Sequence, residues 1–279
     1  MSTLPRSTSE QPVTPLMRVV FAFGAFLVFL IGADLLGFPS HTATLFAWTV
    51  EKPITAAFLG TFYWTACVLA GLSFRQASWS AARVGVLGVF AFVLVTLVVS
   101  LIHRAALQFT SDEPVARIVS FAWIGVYALD PLLILAAWIA QRHASGSDAV
   151  RRSRLPGSFR AVLVAQAAVM MGLGAALLVR ADTVGGLWPW AIKGLDAQAI
   201  AAWLIGLGLV VGHAAWENAW ERISVVLWSA VVLATLQLLV IARFHTALSA
   251  TPAAFMYVTA VVSLAAVGLY GIAAARRTS

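Results

Sequence analysis

The stretch "LFAWTVEKP", residues 45–53, separates two strongly apolar stretches, and an altered copy, "LWPWAIKGL", occupies residues 187–195. Each copy is too polar to cross a membrane and too apolar to be a solvated loop. The copies lie 142 positions apart, the second between another pair of apolar stretches. This recurrence indicates a chain built from two similar halves, each with the same kind of segment after its first apolar stretch.

The composition is that of a membrane protein. Hydrophobic residues make up 61% of the chain and charged residues 10%, with a mean hydropathy of +0.92, whereas soluble domains carry roughly 25% charged residues. A helix needs about 20 apolar residues to cross a bilayer. Eight such runs are present, at about 17–37, 54–74, 83–103, 115–140, 159–179, 197–213, 223–243 and 253–274. Because they are continuously apolar and do not alternate as barrel strands do, they predict an all-α membrane protein with eight transmembrane helices.

The two halves align when the chain is shifted by 142 residues without gaps. The aligned identities of residue types that rarely coincide by chance are Arg18 with Arg160, Trp48 with Trp190, and His103 with His245. Each half has an even number of spans, so both enter the membrane from the same side. We therefore predict two parallel four-helix repeats, 16–140 and 159–275, related by a pseudo-two-fold axis along the membrane normal.

The charge distribution predicts the orientation. Twelve of the 18 Lys and Arg residues lie on the side of both termini and of the basic linker, 141–158. Positive loops stay in the cytoplasm, which predicts a disordered cytoplasmic tail over 1–15 and a cytoplasmic C-terminus over 276–279. The Ala- and Arg-rich composition is typical of a bacterial protein, so we expect the inner (plasma) membrane. The expected partners of the basic linker are membrane lipids, and no nucleic acid.

The repeated Trp-rich segments are expected to form short amphipathic or re-entrant helices at about 42–52 and 183–194. Trp48 and Trp190 lie within them. Indole rings are favoured at the membrane interface, which makes an interfacial anchor one interpretation. The other is a lid over a cavity open to the non-cytoplasmic side, in which case both tryptophans are candidate ligand-binding residues.

Asp130 is the strongest candidate for a ligand-binding residue. It lies near the middle of the fourth span and precedes Pro131. A carboxylate at that depth costs about 3 kcal/mol on insertion scales, and the proline removes one helical hydrogen bond. Asp130 is therefore a candidate ligand or proton site, unless it is protonated or paired with Tyr127 or Gln237. Asp34, at the outer end of the first span, either faces the same cavity as His103 or reaches interfacial water.

His103 and His245 end the third span of each half. A pseudo-two-fold axis could bring the two imidazoles face to face, where they would bind haem iron or a metal ion. Alternatively, each ends its helix at the interface, near the negative end of the helix dipole. The chain has neither C-x-x-C-H nor H-E-x-x-H, so the second interpretation is favoured and no cofactor is expected.

Two other charged groups are predicted to be surface features. The first, expected on a solvated helix face and not at a metal, consists of His213, Glu217 and Glu221. The second, expected to pair within itself at the membrane interface or to bind an anion, consists of Arg180, Asp182, Lys193 and Asp196.

Three function classes remain. The chain has no Walker A sequence, no G-x-G-x-x-G after a strand and no G-x-S-x-G, which excludes an ATP-driven pump and a Rossmann oxidoreductase. No catalytic residue is predicted. The favoured class is a carrier or binding protein for a small-molecule ligand, with a site between the repeats. The alternatives are an accessory subunit of a larger membrane complex and a haem- or metal-binding redox protein.

Overall fold

The computed structural model describes residues 9–248 and 250–278, and this part of the chain is helical without β-strands. It contains eight helices that are long and apolar enough to cross a membrane, which confirms the predicted all-α membrane class. The helices are α1 (Pro15–Gly37), α2 (Thr42–Leu45), α3 (Pro53–Phe74), α4 (Trp79–Ala82), α5 (Val86–Ile102), α6 (Pro114–Arg142), α7 (Gly157–Val179), α8 (Ala181–Gly185), α9 (Gly194–Glu217), α10 (Trp220–Arg243) and α11 (Pro252–Thr278). Helices α4 and α5 are joined by a 3₁₀ turn and form one span, Trp79–Ile102.

The observed spans extend the predicted ones by a few residues. Helices α1, α3 and α6 begin at a proline, a residue that fits the first helical position because its missing N–H would have no partner there. The largest difference is α9, predicted at 197–213, because polar residues at both of its ends are helical. It ends at Asn218, whose φ of 51° is left-handed and stops the helix.

Helices α3 and α9 lie at the centre of the bundle. In the most apolar 18-residue stretch of each helix, 56% of the residues of α3 and 67% of those of α9 are buried, against 17% in α1 and 22% in α7. Helix α1 packs on α3, and α7 packs on α9. The two central helices are linked through their partners, since α5 packs on α9 and α10 packs on α3. Helices α6 and α11 pack outside α5 and α10.

Glycines bring α5 and α9 into backbone contact. A Cβ added at Gly88 would lie 2.3 Å from the carbonyl oxygen of Gly206, and one at Gly206 would lie 2.9 Å from that of Gly88. No side chain larger than hydrogen fits between these backbones. Such small-residue contacts are a principal source of helix association in membranes, where lipid is as apolar as the side chains.

One end of the bundle, here called the linker face, carries the segment before α1, the α3–α4 connection and the α6–α7 linker. Gln11 N–H donates to Ser147 O at 2.9 Å, and Trp79 N–H donates to Gln11 O at 2.9 Å. Of the predicted disordered tail, residues 1–8 lie outside the described residues. Residues 9–14 differ from that prediction, because these backbone hydrogen bonds hold them against the linker.

The other end, here called the loop face, carries residues 38–52, 103–113 and 180–193. Residues 103–113 are held against the first Trp-rich segment, since Gln108 N–H donates to Ala47 O at 3.0 Å. Each loop contains one short helix, α2 or α8, which overlaps the predicted 42–52 and 183–194 only at 42–45 and 183–185, and both end before their tryptophans.

Candidate functional site

A cavity of about 140 Å³ lies inside the bundle. Its walls come from α1, α3, α5 and α6 of the first half and from α7, α9, α10 and α11 of the second. The lining is almost entirely apolar, and its polar side chains are Thr65, Ser73, Tyr127, Asp130 and Ser229. An apolar cavity of roughly 150 Å³ inside a protein stays dry and accepts benzene or xenon, so this space suits a small apolar group.

Asp130 lines the cavity. It lies close enough to Tyr127 to interact electrostatically, but neither of its predicted partners forms a hydrogen bond with it. The hydroxyl of Tyr127 shares a hydrogen bond with that of Tyr63 at 3.1 Å. Gln237 donates to Thr61 Oγ1 at 2.7 Å. Among the described residues, the Asp130 carboxylate has no hydrogen bond and no ion pair.

Aromatic rings form one wall of the cavity. Trp203 of α9 stacks on Phe92 of α5 with ring centroids 3.8 Å apart, and both line the cavity. Tyr63 packs edge-on against Trp203 at 4.8 Å, and Tyr127 packs edge-on against Phe92 at 5.9 Å. Aromatic pairs of this kind contribute about 0.5–1.5 kcal/mol each beyond the area they bury.

The loop face is closed by two tryptophans that reach across the halves. Trp48 Nε1 donates to Asp196 Oδ1 at 2.9 Å, and Trp190 Nε1 donates to Thr55 Oγ1 at 2.9 Å. Each indole therefore bonds the first turn of the central helix of the other half. Trp48 is 4% exposed and Trp190 5%, so the interfacial-anchor interpretation is wrong. Neither residue lines the cavity.

The charged group on the second loop pairs with the first loop and not within itself. Asp196 Oδ2 accepts the backbone N–H of Glu51 at 3.2 Å, and the Lys193 ammonium lies 3.3 Å from the Glu51 carboxylate. Lys52 Nζ donates to the carbonyls of Trp190 and Ala191. The predicted pairing of these charged side chains with one another is thus wrong. Asp196 and Lys193 pair with the facing loop, and Asp182 Oδ1 accepts the backbone N–H of Gly194 at 3.1 Å.

The other predicted site residues lie apart from the cavity lining. His103 Nε2 donates to Gln198 Oε1 at 2.7 Å, whereas exposed His245 bonds the carbonyl of Ala242, one turn back, at 3.1 Å. No hydrogen bond joins the two imidazoles, and no group of three or more His, Cys, Asp or Glu among the described residues could hold a metal ion. Asp34 is half-buried on α1, with His41 as its electrostatic neighbour.

A buried network of charges lies at the linker face, and sequence reasoning missed it. Glu217 Oε1 lies 2.5 Å from Arg83 Nε, and Glu217 Oε2 lies 2.7 Å from Arg222 Nη1. The side chains of Glu217 and Arg222 are 0% and 3% exposed. Asp148 of the linker forms ion pairs with both guanidiniums: its Oδ2 lies 3.0 Å from Arg83 Nη2 and 3.1 Å from Arg222 Nη1. The solvated-face prediction for Glu217 is therefore wrong.

The neighbours of this network tie the linker to the second half. His213 Nδ1 bonds the carbonyl of Val84 at 3.1 Å, which anchors α9 to the start of the third span. Glu221 accepts the backbone N–H of Arg152 at 2.7 Å and the Ser153 hydroxyl at 2.8 Å. The network and these bonds close the linker face, as the indoles close the loop face.

No protein-family model matches the chain, and comparisons with curated proteins and with solved structures find no match.

Proposed function

We propose that this protein is a membrane carrier for a small, largely apolar molecule, which binds in the cavity between the two halves of the bundle. The observation that carries the proposal is the cavity of about 140 Å³ with the carboxylate of Asp130 in its wall. An intramembrane carboxylate is costly and is by default a functional residue. It is placed here where a ligand can reach it.

The proposal includes two parallel four-helix repeats, 16–140 and 159–275. Equivalent contacts support it. Arg18 donates to the carbonyl of Phe74 at the end of α3, and Arg160 donates to that of Ala215 near the end of α9. The central helices α3 and α9 correspond, as do their outer partners α1 and α7. The hydrogen bonds of Trp48 and Trp190, here called the crossed indole bonds because each reaches the other half, correspond in the same way. Asp130 aligns with Ile272, so the binding carboxylate belongs to one repeat only.

The two closed faces support alternating access as the transport mechanism. Hydrogen bonds of Trp48 and Trp190 join the halves at the loop face, and the Arg83–Glu217 ion pair joins them at the linker face. A rocking motion of one half against the other would open one face while the other stays closed, as in transporters built from repeats. In the arrangement described here, both faces carry contacts between the halves. The excess of positive charge at the linker face supports a cytoplasmic location for that face, in a protein of a bacterial inner membrane.

Cavity filling tests the binding site. Gly24 lines the cavity, and an added Cβ there would meet no atom within 4 Å. Gly24→Leu is expected to abolish the rise in melting temperature that toluene gives the wild-type protein in detergent. Gly125→Leu is the matched control, because Gly125 is an exposed helical glycine outside the cavity with the same open surroundings. Equal stabilisation of both variants by toluene would contradict the binding site.

Accessibility labelling tests whether the cavity opens to both sides of the membrane, as transport requires. Ala230 lines the cavity, and Cys67 is the only cysteine of the chain. In proteoliposomes of a Cys67→Ser protein, Ala230→Cys is expected to react with a membrane-impermeant thiol reagent added from either side. Val169→Cys, at a lipid-facing position 67% exposed in the bundle, is expected to stay unlabelled. Protection of Ala230→Cys from both sides would favour an accessory subunit over a carrier.

A further inference from the structure

We infer that the molecule bound in the cavity carries a cationic amine, held by the carboxylate of Asp130, on an apolar body about the size of a benzene ring. This inference rests on the proposed function, and it names the substrate class of that same site. It follows from the charges, the hydrogen-bond donors and the rings that line the cavity.

The cavity contains a negative group without a positive one. Among the described residues that line it, Asp130 is the one acid, and none is Lys, Arg or His. The carboxylate has no ion pair within the described part of the chain. A carboxylate in apolar surroundings needs a counter-charge or a proton, and a cationic ligand supplies the counter-charge at the moment of binding.

Two hydroxyls of the cavity wall, those of Thr65 and Ser229, already donate to backbone carbonyls and present acceptors to a ligand. Thr65 donates to the carbonyl of Thr61 at 2.7 Å, and Ser229 donates to that of Val225 at 2.8 Å. Pro131, which has no N–H, leaves the carbonyl of Tyr127 without its usual helical donor. A ligand that only accepts hydrogen bonds finds no free donor in these groups, whereas an ammonium with three N–H groups matches them.

The aromatic wall favours the same charge. Phe92, Tyr127 and Trp203 all line the cavity. Phe92 and Trp203 each use one ring face to stack on the other, so a cation would be attracted only to a ring face that stays open, within about 6 Å of the ring centre. The apolar remainder of the lining suits a hydrocarbon body. The cavity volume of about 140 Å³ is close to the roughly 150 Å³ of an apolar cavity that takes up benzene.

Three ligands of similar shape distinguish the effect of ligand charge on binding from that of ligand shape. Benzylamine is the cationic probe, and benzyl alcohol and toluene are its neutral analogues. Binding to the detergent-purified full-length protein is measured by equilibrium dialysis with radiolabelled ligand at neutral pH, and empty micelles serve as the blank. We expect benzylamine to bind at least tenfold more tightly than either neutral analogue. Asp130→Asn, which keeps the shape of the side chain, is expected to remove this preference and to leave toluene binding unchanged.

Two further variants keep the inference testable if Asp130→Asn folds poorly. Asp130→Glu keeps the charge and is expected to retain most of the preference for benzylamine. Asp34→Asn removes a half-buried carboxylate outside the cavity lining and is expected to leave all three affinities unchanged. Toluene binding as tight as benzylamine binding in the wild-type protein would overturn the amine inference and leave the cavity site standing. Failure of all three ligands to bind would overturn both.

Discussion

The Nε of Arg83 and the Oε1 of Glu217 lie 2.5 Å apart and join the first half of the chain to the second at the linker face. Glu217 is fully buried, and Arg222, which also bonds it, is 3% exposed. Removal of one partner from a buried ion pair strands the other charge and typically costs about 3–5 kcal/mol. The pair is therefore expected to be the most sensitive single contact at this face.

We expect Glu217→Gln to lower the free energy of unfolding by about 3–5 kcal/mol, because buried Arg222 and partly buried Arg83 lose their fully buried counter-charge and keep only the half-exposed Asp148. Denaturant unfolding in detergent measures the effect. Glu51→Gln is the control, since its pair with Lys193 has side chains 56% and 66% exposed and such surface pairs contribute about 0–1 kcal/mol. Equal effects of the two substitutions would contradict the burial of Glu217.

Asp148 is expected to hold the linker in place. Its carboxylate is 49% exposed and receives both Arg83 and Arg222. Asp148→Asn weakens both charge-assisted bonds, so trypsin should cut at Arg151 or Arg152 faster than in the wild-type protein. The rate of linker cleavage on a gel measures this. Asp112→Asn, in the loop at the other face, should leave the rate unchanged, and an unchanged rate in Asp148→Asn would show that other contacts fix the linker.

The Trp48–Asp196 bond is expected to be a specific coupling between the halves. Trp48→Phe leaves a buried carboxylate oxygen without its donor, a loss of about 1–3 kcal/mol. In a double-mutant cycle with Asp196→Ala, which removes the acceptor, a coupling energy of at least about 0.5 kcal/mol is expected for residues in direct contact. Additive effects would mean that Trp48 stabilises the loop by its apolar area alone.

Two glycine substitutions should change the free energy of unfolding in opposite directions. Gly88→Ala places a Cβ 2.3 Å from the carbonyl oxygen of Gly206, and overpacking of this kind costs about 1–3 kcal/mol. Gly24→Ala meets no atom within 4 Å and removes a helical glycine, which favours the folded state by roughly 0.5–1 kcal/mol. Unfolding midpoints of the two variants relative to wild type give the signs. A stabilised Gly88→Ala protein would be inconsistent with the close contact of α5 and α9.

The UV–visible spectrum of the protein purified in mild detergent tests the haem alternative. The carrier proposal expects no Soret band, because His103 is engaged with Gln198 and is not hydrogen-bonded to His245. A Soret band that disappears in His103→Ala would instead identify a haem ligand and displace the carrier proposal.

The sequence predicted the class of fold because span length and continuous apolarity depend on local composition alone. It also singled out Asp130, since a carboxylate within a 20-residue apolar run stands out without any knowledge of packing. The cavity around Asp130 could not be predicted from the sequence, because its lining combines residues from helices distant in the chain.

The buried charges were missed for a different physical reason. Glu217 and Arg222 flank the short α9–α10 turn, and charged residues near a helix end usually face water. Their burial depends on Arg83 and on linker residue Asp148, far away in sequence. Likewise, the indole of Trp48 fits an interfacial position until its acceptor, Asp196, is known. Pairings between distant segments leave no local pattern to read.

The crossed indole bonds have a consequence for chain continuity. Each half supplies a donor that the other half needs, and the Arg83–Glu217 pair adds a third connection that does not involve the linker. The peptide bonds between α6 and α7 are thus not what holds the halves together. Two separately translated fragments, divided within the linker, should find each other in the bilayer and restore the complete bundle by complementation.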